Sequence, residues 1–153
     1  MGRGSVDTTP IEARLQQIRS SLSLLREIQA VEYEDFVLSA AATNIAEHQF
    51  QIAIQAALDI GQKIIANLNA PLPQDYADVF AMLGKIGVLP QDFARRLVPM
   101  ARFRNILVHR YLEVDLNKVH EYLQHNLGDF ETFVAYITQF MQEQEAEEGK
   151  IDR

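Results

Sequence analysis

The stretch IAEHQFQIAIQAALDIGQKI, residues 45–64, decides the fold of this chain. Its apolar residues recur at the spacing of one buried helix face. The clearest are Ile45, Ile52, Ala56, Ile60 and Ile64. Alanines lie between them, and small side chains let neighbouring helices approach closely. We expect this stretch to be the centre of a long second helix from about Glu34 to Leu68.

The same periodicity predicts four more helices. The first begins at Thr9-Pro10, because threonine caps helices and proline fits the first turn. Its apolar face is formed by Ile11, Leu15, Ile18, Leu22, Leu25 and Ile28. A short third helix follows from about Tyr76 to Ile86. Pro90 opens a fourth helix, which ends between His109 and Glu113.

Asp115 is a suitable cap for a fifth helix that continues to about Gln144. Gly128 lies inside it, and because apolar residues continue on both sides we interpret this glycine as a local weakness and not a break. Four long helices and one additional short helix, joined by short turns, predict an all-α, up-and-down bundle. The expected limits are a helical domain at 9–144, a disordered tail or expression remnant at 1–8, and an acidic flexible tail at 145–153.

Composition excludes several classes of protein. The 153 residues, 48% of them hydrophobic, suffice for one core. The sequence has no cysteine, which excludes disulfides and thiolate metal sites. It has neither a secretory signal nor an apolar run long enough for a membrane span, so a cytoplasmic location without membrane contact is expected. We expect no metal and no cofactor, since His120 and His125 lack a carboxylate pair and are expected on the surface.

Positive charge is concentrated in one segment. The net charge of -7 argues against nucleic acid as a partner, but residues 91–112 contain one aspartate and five arginines. These are Arg95, Arg96, Arg102, Arg104 and Arg110. The segment is therefore a candidate RNA-binding surface. Arg95 and Arg96 fit equally an extension of this surface or an ordinary solvated helix face.

Arg104 and His109 are the candidate catalytic pair. A guanidinium offers paired donors to a phosphate, and histidine is the side chain best suited to proton transfer near neutral pH. Cleavage of RNA by its own 2'-hydroxyl needs a base, an acid and positive donors for the phosphorane. The two residues supply two of these three roles. The alternative is structural, because a histidine at a helix carboxyl end is often only a favourable partner of the helix dipole.

The spacing of the pair restricts how it can act. Residues five apart lie roughly 140° apart around a regular helix, whereas Asn105 and His109, four apart, are adjacent. Either the helix ends or bulges before His109, or Arg104 and His109 meet a substrate between two copies of the chain. A twofold dimer would supply base and acid from two copies of His109. Asn105 could orient the imidazole or bind phosphate.

The motif resembles a known family. Arg104, four residues, His109, one residue and Tyr111 are similar to the signature of the HepT-type toxins of the HEPN superfamily, and the polar Asn105 also fits. The resemblance continues through 46–60, 112–115 and 127–133 and covers roughly residues 10–142. The sequence departs from the family at His48, after Glu47, where members commonly carry Arg or Asn; we assign His48 no role.

The resemblance implies a homodimeric, metal-independent endoribonuclease toxin of a type VII-like toxin–antitoxin pair, with a 2',3'-cyclic phosphate product. Arg104 and His109 would be catalytic and Asn105 supporting. The implied partner is an MntA-type nucleotidyltransferase antitoxin that transfers AMP to Tyr111, which adds bulk and negative charge to a cleft that accepts a polyanion. The alternative is a non-catalytic helical scaffold or regulator of a nucleotidyltransferase, with Tyr111 as a contact.

Overall fold

Seven α-helices and one 3-10 helix make up residues 8–151, the part of the chain that the computed structural model describes. They are α1 (Thr8–Gln29), α2 (Tyr33–Leu38), α3 (Ala40–Asn67), α4 (Ala77–Lys85), α5 (Gln91–His109), the 3-10 helix (Tyr111–Glu113), α6 (Leu116–His125) and α7 (Leu127–Ile151). No strand occurs in this range, so the predicted all-α class is confirmed. Thr8, the last residue of the predicted amino-terminal tail, is the first residue of α1. Residues 1–7 and 152–153 lie outside the described residues.

The central element is α3, which contacts α1, α2, α4, α5 and α6. Many of its buried residues are small, as the sequence predicted: Ala46, Ala53, Ala56, Ala57 and Gly61. At Gly61 the approach of α4 is so close that a Cβ would lie 2.6 Å from Cγ1 of Val79. The close packing of α3 and α4 therefore requires glycine at position 61.

An aromatic cluster attaches the second half of α5 to the core. The ring of Phe50, on α3, lies 5.7 Å from that of Phe103 on α5, 6.5 Å from Tyr122 on α6 and 6.3 Å from Phe130 on α7. Such ring contacts stabilise beyond the area they bury. Phe103 is itself buried and directly precedes Arg104, so this cluster attaches the backbone that carries the candidate site to three other helices.

The apolar face predicted for the first helix is confirmed. Ile11, Leu15, Ile18, Leu25 and Ile28 are buried, and Leu22 is partly buried against them. The predicted third and fourth helices are found as α4 and α5, with Pro90 at the amino-terminal cap of α5. Asp115 caps α6 as predicted, since its carboxylate accepts a hydrogen bond from Asn117 N at 2.9 Å. None of the helices in the described range combines the length and apolarity that crossing a membrane requires.

The predicted second helix, from about Glu34 to Leu68, is divided at Ser39. Helix α2 begins at Tyr33, close to the expected start, but the prediction of one continuous helix is wrong. Ser39 has extended backbone (φ -101°, ψ 103°), and its Oγ accepts a hydrogen bond from Ala42 N at 3.0 Å. Serine stabilises a helix start in this way, by satisfying an amide that has no partner within the helix. On the other side, Phe36 of α2 is fully buried and anchors that short helix.

The predicted fifth helix is also divided, and the break lies at Asn126 instead of a weakness at Gly128. Asn126 ends α6 and its Nδ2 donates to Asp129 Oδ2 at 3.3 Å, at the start of α7. Gly128 is exposed, and a Cβ there would meet nothing within 4 Å. The helix α7 also continues to Ile151, beyond the predicted end at Gln144. The flexibility expected for 145–153 stays a prediction.

One expectation about the histidines is wrong. His125 is exposed, but His120 is half-buried between α2 and α6. Its ring lies 5.1 Å from Tyr33 and 5.8 Å from Phe36. A neutral imidazole is apolar enough to pack between aromatic rings, so this histidine contributes to the contact between the two helices.

Candidate functional site

The candidate site is built on the last two turns of α5. The helix is α-helical from Gln91 through His109 and ends there, since Arg110 leaves helical geometry at φ -135° and ψ 41°. The expected alternative in which the helix ends or bulges before His109 is therefore wrong. On an undistorted helix the Arg104 and His109 side chains leave the axis in different directions.

Arg104 faces α3 and the start of α4. Its Nε donates to Gln55 Oε1 at 2.7 Å, its Nη1 donates to Asn105 Oδ1 at 3.1 Å, and its Cζ lies 4.6 Å from the centre of the Tyr76 ring. A guanidinium over an aromatic face gains electrostatic attraction. These bonds use two of the five N–H donors of arginine, which leaves the end of the guanidinium available to an anion.

Further contacts hold the partners of Arg104. Gln55 Nε2 donates to Asp59 Oδ1 at 2.9 Å, one turn further along α3. The other oxygen of Asp59 lies 3.3 Å from Arg14 Nε of α1. A polar chain of contacts therefore runs from Arg14 through Asp59 and Gln55 to Arg104, across three helices.

His109 lies in a different place, an open groove of 430 Å³ lined by Arg102, Asn105, Ile106, His109 and Arg110. We call it the His109 groove. Arg104 is not among its lining residues. Two exposed arginines flank the imidazole, so the groove is suited to a phosphate chain. Asn105 belongs to both places, because it lines the groove while its Oδ1 accepts the bond from Arg104.

The remaining predicted arginines differ in availability. Arg110 Nε lies 3.9 Å from Glu113 Oε2, and both side chains are exposed. Arg96 donates to the buried carboxylate of Asp129 at 2.7 Å. Arg95 is exposed. Arg96 precedes His109 by thirteen residues, roughly 20 Å along a helix, so the structure brings Arg102 and Arg110 to the groove but not Arg95 and Arg96.

Tyr111 is the first residue of the 3-10 helix and is 69% exposed. It follows His109 by two residues, immediately beyond the end of α5. Its side chain is therefore accessible to solvent, although Tyr111 is not among the residues that line the His109 groove.

Within residues 8–151 no three histidine, aspartate or glutamate side chains are grouped so that they could hold a metal ion. Burial raises the pKa of Glu47, on α3, above the ordinary value of a glutamate. His48 beside it is exposed.

Sequence reasoning missed Gln55, Asp59 and Tyr76 as neighbours of Arg104. Gln55 and Asp59 left a signal, since they are two polar residues one turn apart in an otherwise apolar stretch of α3. Half-buried polar side chains in such a stretch need partners. Nothing in the sequence indicated Tyr76, because its contact with Arg104 depends on the path of the loop before α4.

Comparison with known proteins identifies the family to which this chain is similar. A family model described as ribonuclease HepT-like matches residues 18–137. A tRNA nuclease HepT of Aphanizomenon flos-aquae is 28% identical over 137 residues, which covers 90% of this chain and 93% of that protein. An mRNA nuclease HepT of Shewanella oneidensis is 34% identical over 87 residues, 57% of this chain and 65% of that protein.

A solved structure has the same fold. It is the tri-AMPylated Shewanella oneidensis HEPN toxin in complex with MNT antitoxin, at a TM-score of 0.79 and 25% identity, and the match covers 86% of this chain and 98% of that one. The family match extends from the middle of α1 into α7 and includes Arg104, Asn105, His109 and Tyr111. The resemblance stated from the motif is thus confirmed, and the chain belongs to the ribonuclease HepT-like family.

Proposed function

We propose that this protein is a metal-independent endoribonuclease, the toxin of a type VII-like toxin–antitoxin pair. One observation carries the proposal: the open His109 groove, flanked by Arg102 and Arg110, shares Asn105 with an arginine whose outer donors are unused by the described residues. The names of the similar proteins, tRNA nuclease and mRNA nuclease, support the class of reaction.

The reaction follows from the residue types. One His109 imidazole takes the proton from the ribose 2'-hydroxyl, and that oxygen attacks the adjacent phosphorus. Arg104 stabilises the negative charge that develops on the phosphorane. A protonated imidazole then gives its proton to the departing 5'-oxygen. The products are a 2',3'-cyclic phosphate and a free 5'-hydroxyl, and no metal ion is required for any of these proton transfers.

A twofold homodimer is part of the proposal. One chain supplies one His109, and its Arg104 is held against α3 outside the His109 groove. Two grooves facing each other would provide a base and an acid from the two copies of His109, with an Arg104 beside the phosphate between them. The separation of the two side chains around α5 supports this arrangement.

The proposed partner is an MntA-type nucleotidyltransferase antitoxin, and the proposed acceptor is Tyr111. The exposure of its side chain supports this role, because a transferase must reach the phenol oxygen. AMP on Tyr111 would place bulk and a phosphate charge beside the His109 groove and would repel RNA. The similar Shewanella structure is a complex of an AMPylated toxin with its antitoxin, which also supports the proposed partner and modification.

The test is cleavage of RNA by the purified protein in the presence of EDTA. We expect cleavage with a 2',3'-cyclic phosphate end, and a loss of at least about 100-fold in Arg104→Ala and in His109→Ala. His125→Ala, an exposed histidine on α6, is the matched control and should cleave normally. Full cleavage by both site variants would overturn the proposal.

The scaffold alternative is favoured by one feature, the exposed Tyr111 as a contact for a partner. Expression of the chain alone separates the two functions. Growth arrest that His109→Ala relieves supports the toxin, whereas harmless expression of the unmodified wild type supports the scaffold.

A further inference from the structure

The side chain of Gln55 occupies a specific place beside the candidate catalytic arginine. Its Oε1 accepts a hydrogen bond from Arg104 Nε at 2.7 Å. Gln55 lies on α3 and Arg104 on α5, 49 positions apart in sequence. We propose that Gln55 is a positioning residue: Asp59 orients its amide, and the amide fixes the Arg104 guanidinium for phosphate binding. This inference rests on the proposed ribonuclease function.

The orientation of the Gln55 amide is determined by its two neighbours. A carboxylate such as Asp59 only accepts hydrogen bonds, so the Gln55 NH₂ group must face it. A guanidinium only donates, so the Gln55 oxygen must face Arg104. With the amide turned by 180° both contacts would be lost. Arg14 Nε lies 3.3 Å from the second Asp59 oxygen, an ion-pair distance, but this contact lacks the geometry of a hydrogen bond.

The contact restricts a side chain that otherwise has many conformations. Tyr76 covers one face of the guanidinium, and Asn105 accepts from Nη1. Only the bond to Gln55 holds Nε, the atom nearest the flexible stem, within the described residues. Gln55 is also neutral, so it fixes the guanidinium without pairing its charge. The donors left at Nη1 and Nη2 then point in one defined direction.

A positioning role predicts a specific kinetic effect. A small misplacement of a group that acts on the transition state can lower the rate on the order of 100-fold. In the proposed function Arg102 and Arg110 bind the RNA, so the Michaelis constant should change little in a variant that only misplaces Arg104. For Gln55→Leu we therefore expect kcat to fall roughly 10-fold to 100-fold, with KM within about threefold of wild type.

Two further variants make the test specific. Gln55→Glu keeps an oxygen acceptor for Arg104 Nε, but its carboxylate pairs the guanidinium charge and repels Asp59, so it should still hold Nε while lowering kcat. Gln62→Leu removes an amide two turns further along α3, outside the chain of contacts, and should behave as wild type. A normal kcat in Gln55→Leu, or a kcat in Gln62→Leu as low as in Gln55→Leu, would overturn the inference.

A second measurement does not depend on activity. In an NMR spectrum of ¹⁵N-labelled protein, the Arg104 Nε–H proton should exchange slowly with water in wild type, Gln55→Glu and Gln62→Leu, and rapidly in Gln55→Leu. Equal exchange in wild type and Gln55→Leu would overturn the positioning role even if RNA is cleaved. If wild type cleaves no RNA, the proposed function fails, and the exchange rates still decide whether Gln55 holds Arg104.

Discussion

Arg104 and Asn105 are joined by a hydrogen bond of 3.1 Å from Nη1 to Oδ1. The arginine faces α3, and the asparagine lines the groove that contains His109. The bond therefore connects the two sides of α5 that the five-residue spacing separates. Asn105 therefore belongs to both parts of the candidate site.

Two substitutions at Asn105 should have different kinetic effects. Asn105→Ala removes the acceptor for Arg104 Nη1, and we expect kcat to fall by about 10-fold with little change in KM. Asn105→Asp keeps an acceptor but adds a negative charge to the groove, so KM should rise instead. Steady-state cleavage of a short RNA measures both constants. The same effect of both substitutions on kcat and KM would contradict this assignment.

Arg102 and Arg110 should contribute to RNA binding through phosphate charge. Replacing both with alanine should weaken binding and reduce the slope of log Kd against log salt by about 0.7 for each lost contact with a single strand. The measurement is fluorescence anisotropy in a His109→Ala background, which prevents cleavage. Arg19→Ala, exposed on α1, is the control for the loss of a positive charge. An unchanged slope would place the RNA elsewhere.

Tyr111 should be the residue that accepts AMP. After co-expression with an MntA-type nucleotidyltransferase, the intact mass of the wild type should increase by one or more AMP units, and that of Tyr111→Phe should not. Tyr33→Phe, which alters another exposed tyrosine, should be labelled as wild type. Equal labelling of Tyr111→Phe would show that the acceptor is another residue.

Alanine should have opposite effects on stability at two helical glycines. At Gly61 the new Cβ would lie 2.6 Å from Val79 Cγ1, and we expect Gly61→Ala to lower the free energy of unfolding by about 1–3 kcal/mol. At Gly128 it would meet nothing within 4 Å, so Gly128→Ala should raise that energy by about 0.5 kcal/mol through helix propensity. Urea unfolding measures both. A stable Gly61→Ala variant would contradict the close α3–α4 packing.

Glu47 should make stability depend on pH. Burial raises its pKa in the folded state, so between the unfolded and the folded pKa the folded chain binds more protons. The contribution of Glu47 to stability therefore falls as pH rises through this window. Glu47→Gln should be more stable than wild type at neutral pH, and the difference should disappear below the ordinary pKa of glutamate. Urea unfolding across pH, with Glu12→Gln on the exposed side of α1 as control, measures the difference. A difference that persists in acid would exclude this cause.

Much of the fold was predictable because its signals are local. The apolar spacing of α1 and the proline before α5 each act within one or two helical turns, where sequence distance fixes spatial distance. The breaks at Ser39 and Asn126 were missed for a different reason. Both interrupt a continuous apolar pattern, and each is stabilised by a side-chain hydrogen bond to the start of the next helix.

The sequence by itself determined that the chain is helical and that Arg104 and His109 leave α5 in different directions, because residue number fixes direction on a regular helix. Only the tertiary structure decided what each side chain meets. Gln55 and Tyr76 reach Arg104 because α3 and the start of α4 pack against α5. Contacts between helices depend on how whole apolar faces fit together, and no short stretch of sequence specifies that fit.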